Sequence, residues 1–217
     1  FPDHPFQVRE DASMQETAES VKEYGVLVPA LARPREDGGY ELIAGHRRKH
    51  ACELAGLATM PVIVRDIDRD AATIIMVDSN LQRENILPSE RAKAYKMKME
   101  AIKRQGARTD LTSPKISAKF RSDDEIGKSL GISGDTLRNY ASLTELLPQL
   151  LKLVDEKQIA LSPAYQLAYL TKDEQMLVLD ALDYSQNMPS LSQAQRLKKY
   201  SQEGHLTLDM MRVIMGE

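Results

Sequence analysis

The 217-residue sequence lacks tryptophan, contains one cysteine and is poor in aromatic residues, which make up 5% of the chain. So few aromatic side chains favour helices packed on Leu, Ile, Met and Ala over a β-sandwich. The single cysteine, Cys52, excludes an internal disulfide and indicates a reducing compartment. No stretch approaches the ~18 consecutive apolar residues of a membrane span, and no signal peptide is recognisable. We therefore expect a cytoplasmic protein without a membrane partner.

Positive charge is concentrated in one part of the chain, although the formal net charge is −3. Residues 91–122 contain ten Lys or Arg residues and only two acids. A basic segment in an otherwise acidic chain is typical of proteins that bind a polyanion. A solvated helix face would give the same pattern. Within this segment we predict DNA contacts for Lys103, Arg104, Lys119 and Arg121.

The segment from residue 122 to about residue 143 has the pattern of a helix-turn-helix. Ser122 and Glu125 form a capping-box pattern at the start of a short helix. Gly131 permits the sharp turn, and Ser133 begins the second helix, where Arg and Asn side chains suit bidentate contacts with guanine and adenine. Four residues are expected to project outward there, namely Gly134, Asp135, Arg138 and Asn139. The full set of predicted DNA-binding residues on this helix is Ser133, Gly134, Asp135, Thr136, Arg138 and Asn139. An ordinary pair of packed helices is the alternative, and the adjacent basic segment favours DNA binding.

A strand, a glycine and a helix start follow one another directly near residue 45. The apolar run Tyr40–Ala44 predicts a strand, Gly45 ends it, and a helix begins at once. Unpaired backbone N–H groups and the positive end of the helix therefore meet at one point. Arg47 and Arg48 lie in the first helical turn, where a cation is unfavourable unless an anion compensates. We expect that anion to be a phosphate group, although two solvated arginines on a surface helix would give the same pattern.

The remaining pattern predicts a small α/β region followed by helices alone. Three strands are expected, at 28–33, 40–44 and 60–65. Helices are expected to begin at capping residues or prolines, namely Ser13, Asp68, Pro88, Pro148, Ser162, Thr171, Ser190 and Thr207. Gly106 is expected to end the helix that begins at Pro88. The predicted fold class is α+β, with an α/β domain over residues 1–88 and an all-helical domain over residues 89–217.

Three short motifs occur in order along the chain. They are Pro5-Phe6-Gln7-Val8-Arg9, then Gly45-His46-Arg47-Arg48, and then Asn80-Leu81-Gln82-Arg83 with Leu87-Pro88-Ser89-Glu90-Arg91-Ala92. They resemble the motifs N-P-x-Q-P-R, G-E-R-R and E-N-x-Q-R-x-x-L-x-P-x-E-x-A of the ParB family of partition proteins. Each motif alone is weak, but the three stand at family-like intervals and precede a helix-turn-helix. The resemblance covers essentially the whole chain and implies an amino-terminal ParB/sulfiredoxin-like domain.

The resemblance implies a CTP-dependent, site-specific DNA clamp that acts in the segregation of a plasmid, a chromosome or a mobile element. The residues implied to bind the nucleotide are Gln7, Arg9, Gly45, His46, Arg47, Arg48, Asn80 and Arg83. Asn80 would also coordinate Mg²⁺, because its amide oxygen is a suitable hard ligand. The implied partners are a palindromic double-stranded DNA site, a second copy of the chain and an ATPase of the ParA type. The implied location is a bacterial nucleoid or plasmid.

Two positions depart from the family motifs. His46 replaces the glutamate of G-E-R-R, and Ser79 replaces the glutamate that precedes the metal-binding Asn80. Both carboxylates are suited to positioning a metal ion or a water molecule during hydrolysis. Asp78 is displaced by one residue, which rotates its side chain by ~100° around a helix. We therefore expect nucleotide binding with slow or absent hydrolysis, so that the protein is at most a weak CTPase.

Two other functions fit parts of the same pattern. A ParB-like transcriptional repressor with a vestigial nucleotide site would keep the helix-turn-helix and lose nucleotide dependence. A sulfiredoxin-like ATP-dependent enzyme shares the α/β domain, but its G-C-H-R motif would place the reactive cysteine at Gly45. Cys52 lies about two helical turns further along, where helix packing is its expected role. The residues alone do not distinguish CTP from ATP.

Overall fold

The computed structural model of the chain describes residues 4–112 and 123–216. Its strands are β1 (Ala30–Pro34), β2 (Tyr40–Ala44) and β3 (Val62–Val64). Its helices are α1 (Ala12–Tyr24), α2 (His46–Leu54), α3 (Arg69–Leu81), α4 (Pro88–Thr112), α5 (Asp123–Ser129), α6 (Gly134–Ser142), α7 (Pro148–Asp155), α8 (Leu161–Leu167), α9 (Lys172–Ser185), α10 (Leu191–Gln202) and α11 (Leu208–Gly216), with a short 3-10 turn at Leu143–Glu145. The three strands precede a region in which the described residues are helical, which confirms the predicted α+β fold class.

The chain forms two compact units. The first consists of the residues up to Ile86 together with the part of α4 from Met97 onward. The second consists of Leu87–Lys96 and the described residues from Asp123 onward. α4 contributes residues to both units. The predicted boundary between a nucleotide-binding domain ending at residue 88 and a DNA-binding domain beginning at residue 89 therefore stays a prediction. No helix in the described ranges combines the length and the apolar character needed to cross a membrane.

The first unit contains the sheet, whose strand order is β2-β1-β3. β1 is antiparallel to β2, with Ala32 opposite Leu42, and parallel to β3, with Leu31 opposite Ile63. Ile43 of β2 is fully buried, whereas all three residues of the edge strand β3 are exposed. The buried side of the sheet is therefore formed by Ala30 and Ala32 of β1 and by Ile43 near the end of β2, where α2 begins.

α1 and α2 of the first unit pack on each other through a small apolar core. Its buried members are Met14, Val21, Ala51 and Cys52. Cys52 therefore serves helix packing, as expected from its position. Two ion pairs join α3 to the later part of α4, from Lys98 Nζ to Asp78 Oδ1 at 2.5 Å and from Arg104 Nε to Asp70 Oδ1 at 2.9 Å. Two of the basic residues of α4 are thus neutralised by acids of α3.

The second unit has a larger apolar core. Its fully buried members include Leu143, Leu150, Leu167, Leu197 and Met211. The start of α4 is fixed to this unit by Asp155 of α7, whose carboxylate accepts hydrogen bonds from the backbone N–H of Ser89 at 2.9 Å and from its hydroxyl at 2.6 Å. A carboxylate at a helix N-terminus satisfies an otherwise unpaired N–H group and interacts favourably with the helix dipole.

Three of the predicted helix boundaries are wrong. Ser13 lies inside α1, because the side chain of Asp11 caps the helix by accepting the N–H of Met14. Gly106 does not end α4, since one glycine costs a helix only about 1 kcal/mol relative to alanine. Ser162 is the second residue of α8, which is preceded by Ala160 as its N-cap.

Candidate functional site

A cavity of about 240 Å³ opens in the first unit where β2 ends and α2 begins. It is lined by His4, Phe6, Val8, Ala44, Gly45, His46, Arg47, Arg48, Ser79, Asn80 and Arg83. Six of the eight residues predicted to bind a nucleotide are among them. The other two, Gln7 and Arg9, are not among the lining residues; Gln7 is exposed and Arg9 is half-buried. The start of α2 and the end of α3, which are distant in sequence, thus share one cavity.

Gly45 makes the turn from β2 into α2 and cannot be replaced without strain. Its φ is 107°, a value that L side chains rarely adopt. A Cβ at this position would lie 2.6 Å from the Cβ of Ala30 and 3.2 Å from its Cα. No side chain caps the start of α2, so its first N–H groups and the positive end of the helix dipole are available to an anion.

The two arginines of the first turn both have protein partners. Arg48 donates from Nη1 to the carbonyl oxygen of Pro29 at 2.7 Å and also to that of Val28. Arg47 donates from Nη2 to Ser13 Oγ at 3.2 Å and lies 3.9 Å from a carboxylate oxygen of Asp11. Carbonyl oxygens carry no net charge, and no acid among the described residues pairs with Arg48, so its positive charge is available at the cavity while its hydrogen bonds fix the segment before β1.

His46 is the first residue of α2, and its ring is packed against that of His4 with 4.0 Å between ring centroids. Burial lowers the pKa of His46 to about 4, with further lowering by the nearby His4, Lys49 and Arg83. His46 is therefore neutral at pH 7. The arginines supply the positive charge of this cavity, while His46 supplies a neutral imidazole.

The α3 side of the cavity offers one neutral oxygen ligand. Asn80 donates from Nδ2 to the backbone oxygen of Met76 at 2.8 Å, which leaves its amide oxygen as an acceptor. Ser79 likewise donates to Met76 O, at 3.0 Å. Asp78 does not line the cavity, because its carboxylate pairs with the buried Lys98. The rotation expected from its displacement by one residue is thus observed.

The residues that line the cavity include no Asp or Glu, which limits how a metal ion would bind there. No group of three or more His, Cys, Asp or Glu side chains in the described parts of the chain could hold one. Mg²⁺ commonly keeps several waters and uses substrate phosphates as ligands. The lining residues thus fit a Mg²⁺ ion only if it brings most of its own ligands, to which Asn80 would add an amide oxygen.

In the second unit, α5 and α6 form the helix pair predicted as a helix-turn-helix. Ser133 caps α6 by accepting the N–H of Thr136 at 3.0 Å, and Gly131 has a φ of 72° at the turn. Leu137 faces the core and is fully buried. Sequence reasoning missed Gly127, where a Cβ would lie 2.8 Å from Ile132 O and 2.9 Å from Gly134 N. The two helices approach closely because Gly127 has no side chain.

The predicted DNA-binding residues differ in their exposure and in the unit to which they belong. Ser133, Asp135 and Arg138 are exposed, and Thr136 and Asn139 are half-buried. Gly134, expected to project outward, is buried because the carboxylate of Asp124 lies over it. Lys103 and Arg104 are exposed residues of the first unit, and Arg104 is paired with Asp70. Lys119, Arg121 and the helix start predicted at Ser122 lie outside the described residues.

The chain is similar to known proteins over most of its length. Residues 2–81 match the family described as the ParB N-terminal domain. A probable chromosome 1-partitioning protein ParB from Deinococcus radiodurans is 38% identical over 171 residues, which cover 78% of this chain and 52% of that protein. The chromosome-partitioning protein Spo0J from Thermus thermophilus is 32% identical over 176 residues, or 81% of this chain and 58% of that protein. The chain thus spans somewhat more than half the length of these relatives.

A solved structure of a Pnob8-like ParB-N domain shares the fold. It matches with a TM-score of 0.51 and 20% identity, and the match covers 99% of this chain and 92% of that one. These observations define a class of protein in which an amino-terminal domain of the ParB type is followed by helices alone. The chain belongs to the ParB family of partition proteins.

Proposed function

We propose that this chain binds CTP at the cavity between α2 and α3 and binds a palindromic DNA site through α6, as part of a CTP-dependent DNA clamp. The observation that carries the proposal is the shared cavity. The uncapped start of α2, with Arg47 and Arg48, lines the same space as Asn80 and Arg83 from the α3 side. The choice of CTP over other nucleotides rests on the resemblance to the family motifs.

The residues have separate roles in this proposal. The N–H groups that follow Gly45 and the guanidinium groups of Arg47, Arg48 and Arg83 would hold the triphosphate. The amide oxygen of Asn80 would share Mg²⁺ with the phosphates. The exposed Arg138 and the half-buried Asn139 of α6 would contact base edges in the major groove.

The wider function follows from the family. We propose a homodimer that segregates a bacterial chromosome, plasmid or mobile element with an ATPase of the ParA type, and that is found in the cytoplasm on the nucleoid or plasmid. A repressor with a vestigial nucleotide site is the second candidate, and the replacement of two carboxylates by His46 and Ser79 favours it. A sulfiredoxin-like activity is disfavoured, because Gly45 provides no thiol and Cys52 is buried in the α1–α2 core.

A titration of the purified chain with CTP, ATP, GTP and UTP in the presence of Mg²⁺ tests the nucleotide site. We expect saturable binding of CTP and at least a tenfold loss of affinity for Arg48→Ala, since hydrogen bonds between charged groups contribute roughly 1.5–3 kcal/mol. Lys49→Ala is the matched control, because Lys49 is on the same helix but lines a different opening. Indifference to all four nucleotides would overturn the nucleotide site and favour the repressor.

The lack of acidic side chains at the cavity predicts slow turnover. With His46 and Ser79 in place of two glutamates and with Asp78 held by Lys98, no carboxylate from the lining residues can orient the attacking water. We expect phosphate release from CTP, measured with cognate DNA, to stay near the background rate. Substitution of Ser79 by Glu should raise it. Clear turnover by the wild-type chain would contradict the assigned role of the missing carboxylates.

A further inference from the structure

Arg138, the one arginine of α6, is surrounded by three aspartates. Its Nη2 donates to Asp135 Oδ1 at 2.5 Å, and its Nη1 lies 3.7 Å from Asp123 Oδ2 and 3.9 Å from Asp124 Oδ1. The hydrogen bond to Asp135 is the first cause of a raised pKa for Arg138. The side chain best suited to bind guanine is therefore already paired within the protein.

The helix pair is also acidic as a whole. α5 and α6 carry four acids, Asp123, Asp124, Glu125 and Asp135, but only two basic residues, Lys128 and Arg138. A polyanion such as DNA is repelled by this net negative charge at the helices proposed to approach it. Generic phosphate attraction therefore has to come from elsewhere in the chain.

The position of one of these acids is constrained by the fold. A Cβ at Gly134 would lie 1.9 Å from Asp124 Oδ1, so the carboxylate of Asp124 occupies the space that the missing side chain leaves. This contact places a negative charge beside the start of α6, where acids are favourable. Asp123 faces Nη1 of Arg138 and Asp135 faces Nη2, so carboxylates from α5 and α6 pair with the same guanidinium group.

We propose that Asp135, with Asp123 and Asp124, is a specificity element that makes α6 discriminate against DNA lacking the cognate site. The proposal rests on the proposed DNA-binding function. On a matching site, Arg138 exchanges the carboxylates for N7 and O6 of a guanine, a bidentate contact that offsets the broken ion pairs. On other DNA, Arg138 stays paired with the carboxylates, so its charge is not available to the phosphates, and the net negative charge of α5 and α6 repels them. Specificity then arises from repulsion of the wrong partner as well as attraction to the right one.

The test compares two duplexes, one selected by the wild-type chain from a randomised library and one of the same composition with scrambled order. Asp135→Asn keeps the size of the side chain and removes its charge. We expect its affinity for the scrambled duplex to rise about fivefold, the upper range for one exposed charge interaction. Its affinity for the selected duplex should rise by a smaller factor, because Arg138 contacts the guanine there in both proteins, so the ratio of the two affinities should fall. Asp180→Asn, an exposed aspartate on α9, is the matched control and should change neither affinity.

A second variant separates this inference from the function on which it rests. Arg138→Gln should weaken binding of the selected duplex at least tenfold and binding of the scrambled duplex by a much smaller factor, since the bidentate contact to a base is lost only on the selected duplex. If Arg138→Gln has this effect but Asp135→Asn leaves the ratio of the two affinities unchanged, the specificity element is disproved and DNA binding stands. If no duplex is enriched and Arg138→Gln changes nothing, the proposed DNA-binding role of α6 fails.

Discussion

Replacement of Gly45 by alanine should destabilise the first unit by about 3 kcal/mol and abolish nucleotide binding. The positive φ of 107° costs an L residue about 1–2 kcal/mol. The new Cβ would also meet the Cβ of Ala30 at 2.6 Å, so β1 or α2 has to shift, which adds a similar amount. Either shift moves the N–H groups at the start of α2. Hydrogen exchange measured peptide by peptide reports local opening in β1 and α2, and a nucleotide titration reports the site.

Gly56→Ala provides the matched control at the other end of the same helix. Gly56 also has a positive φ, 72°, but a Cβ there would meet nothing within 4 Å. Gly56→Ala should therefore lower the free energy of unfolding only by the conformational cost of about 1 kcal/mol, and the variant should bind nucleotide normally. Equal destabilisation by the two substitutions would refute the steric argument. Full nucleotide affinity in Gly45→Ala would show that the close approach of α2 to β1 does not shape the site.

Local signals predicted most of the secondary structure. Asp68, Thr171 and Ser190 each cap the helix that was expected to start there, because the hydrogen bond links a side chain to an N–H group only three residues away. The same rule was misleading at Ser13, since Asp11 stands two residues earlier and is an equally good cap. Which of two nearby capping residues begins the helix depends on how the helix packs, and a short stretch of sequence does not show this packing.

The hydrogen-bond and ion-pair partners of the residues that line the cavity were harder to predict from the sequence. The motifs predicted which residues come from α2 and α3, but the partners of Arg47 and Arg48 are groups 19 to 36 residues away along the chain. The count of basic residues in the segment 91–122 overstates the free positive charge for the same reason. Lys98 and Arg104 belong to that count, yet both are paired with acids of α3. Net charge along the sequence does not reveal which charges the fold neutralises.

Substitution of Gln175 by methionine should lower the free energy of unfolding of the second unit by about 4 kcal/mol. Gln175 is fully buried, accepts the N–H of Leu147 at 2.7 Å, and donates to the carbonyl oxygens of Leu170 at 3.0 Å and Glu145 at 3.1 Å. Methionine has nearly the same volume, so packing is retained, while the N–H of Leu147 and the carbonyl oxygen of Leu170 lose their partner; Glu145 O keeps a hydrogen bond from Lys172. Each buried polar group left unpaired costs about 1–3 kcal/mol. Chemical denaturation gives the total, and faster hydrogen exchange at Leu147 locates the effect.

Gln193→Met distinguishes the cost of burial from the loss of an amide side chain. Gln193 also bridges two backbone groups, donating to Ile214 O at 2.9 Å and accepting the N–H of Ser190 at 2.8 Å. It is only half-buried, so water can replace the lost hydrogen bonds, and the expected cost is about 1 kcal/mol.

Gln175 joins α9 to the segment that directly follows α6 and its 3-10 turn. Its loss should therefore also weaken binding of the selected duplex, whereas Gln193→Met should not. Similar costs for the two substitutions would mean that burial does not set the value of these hydrogen bonds.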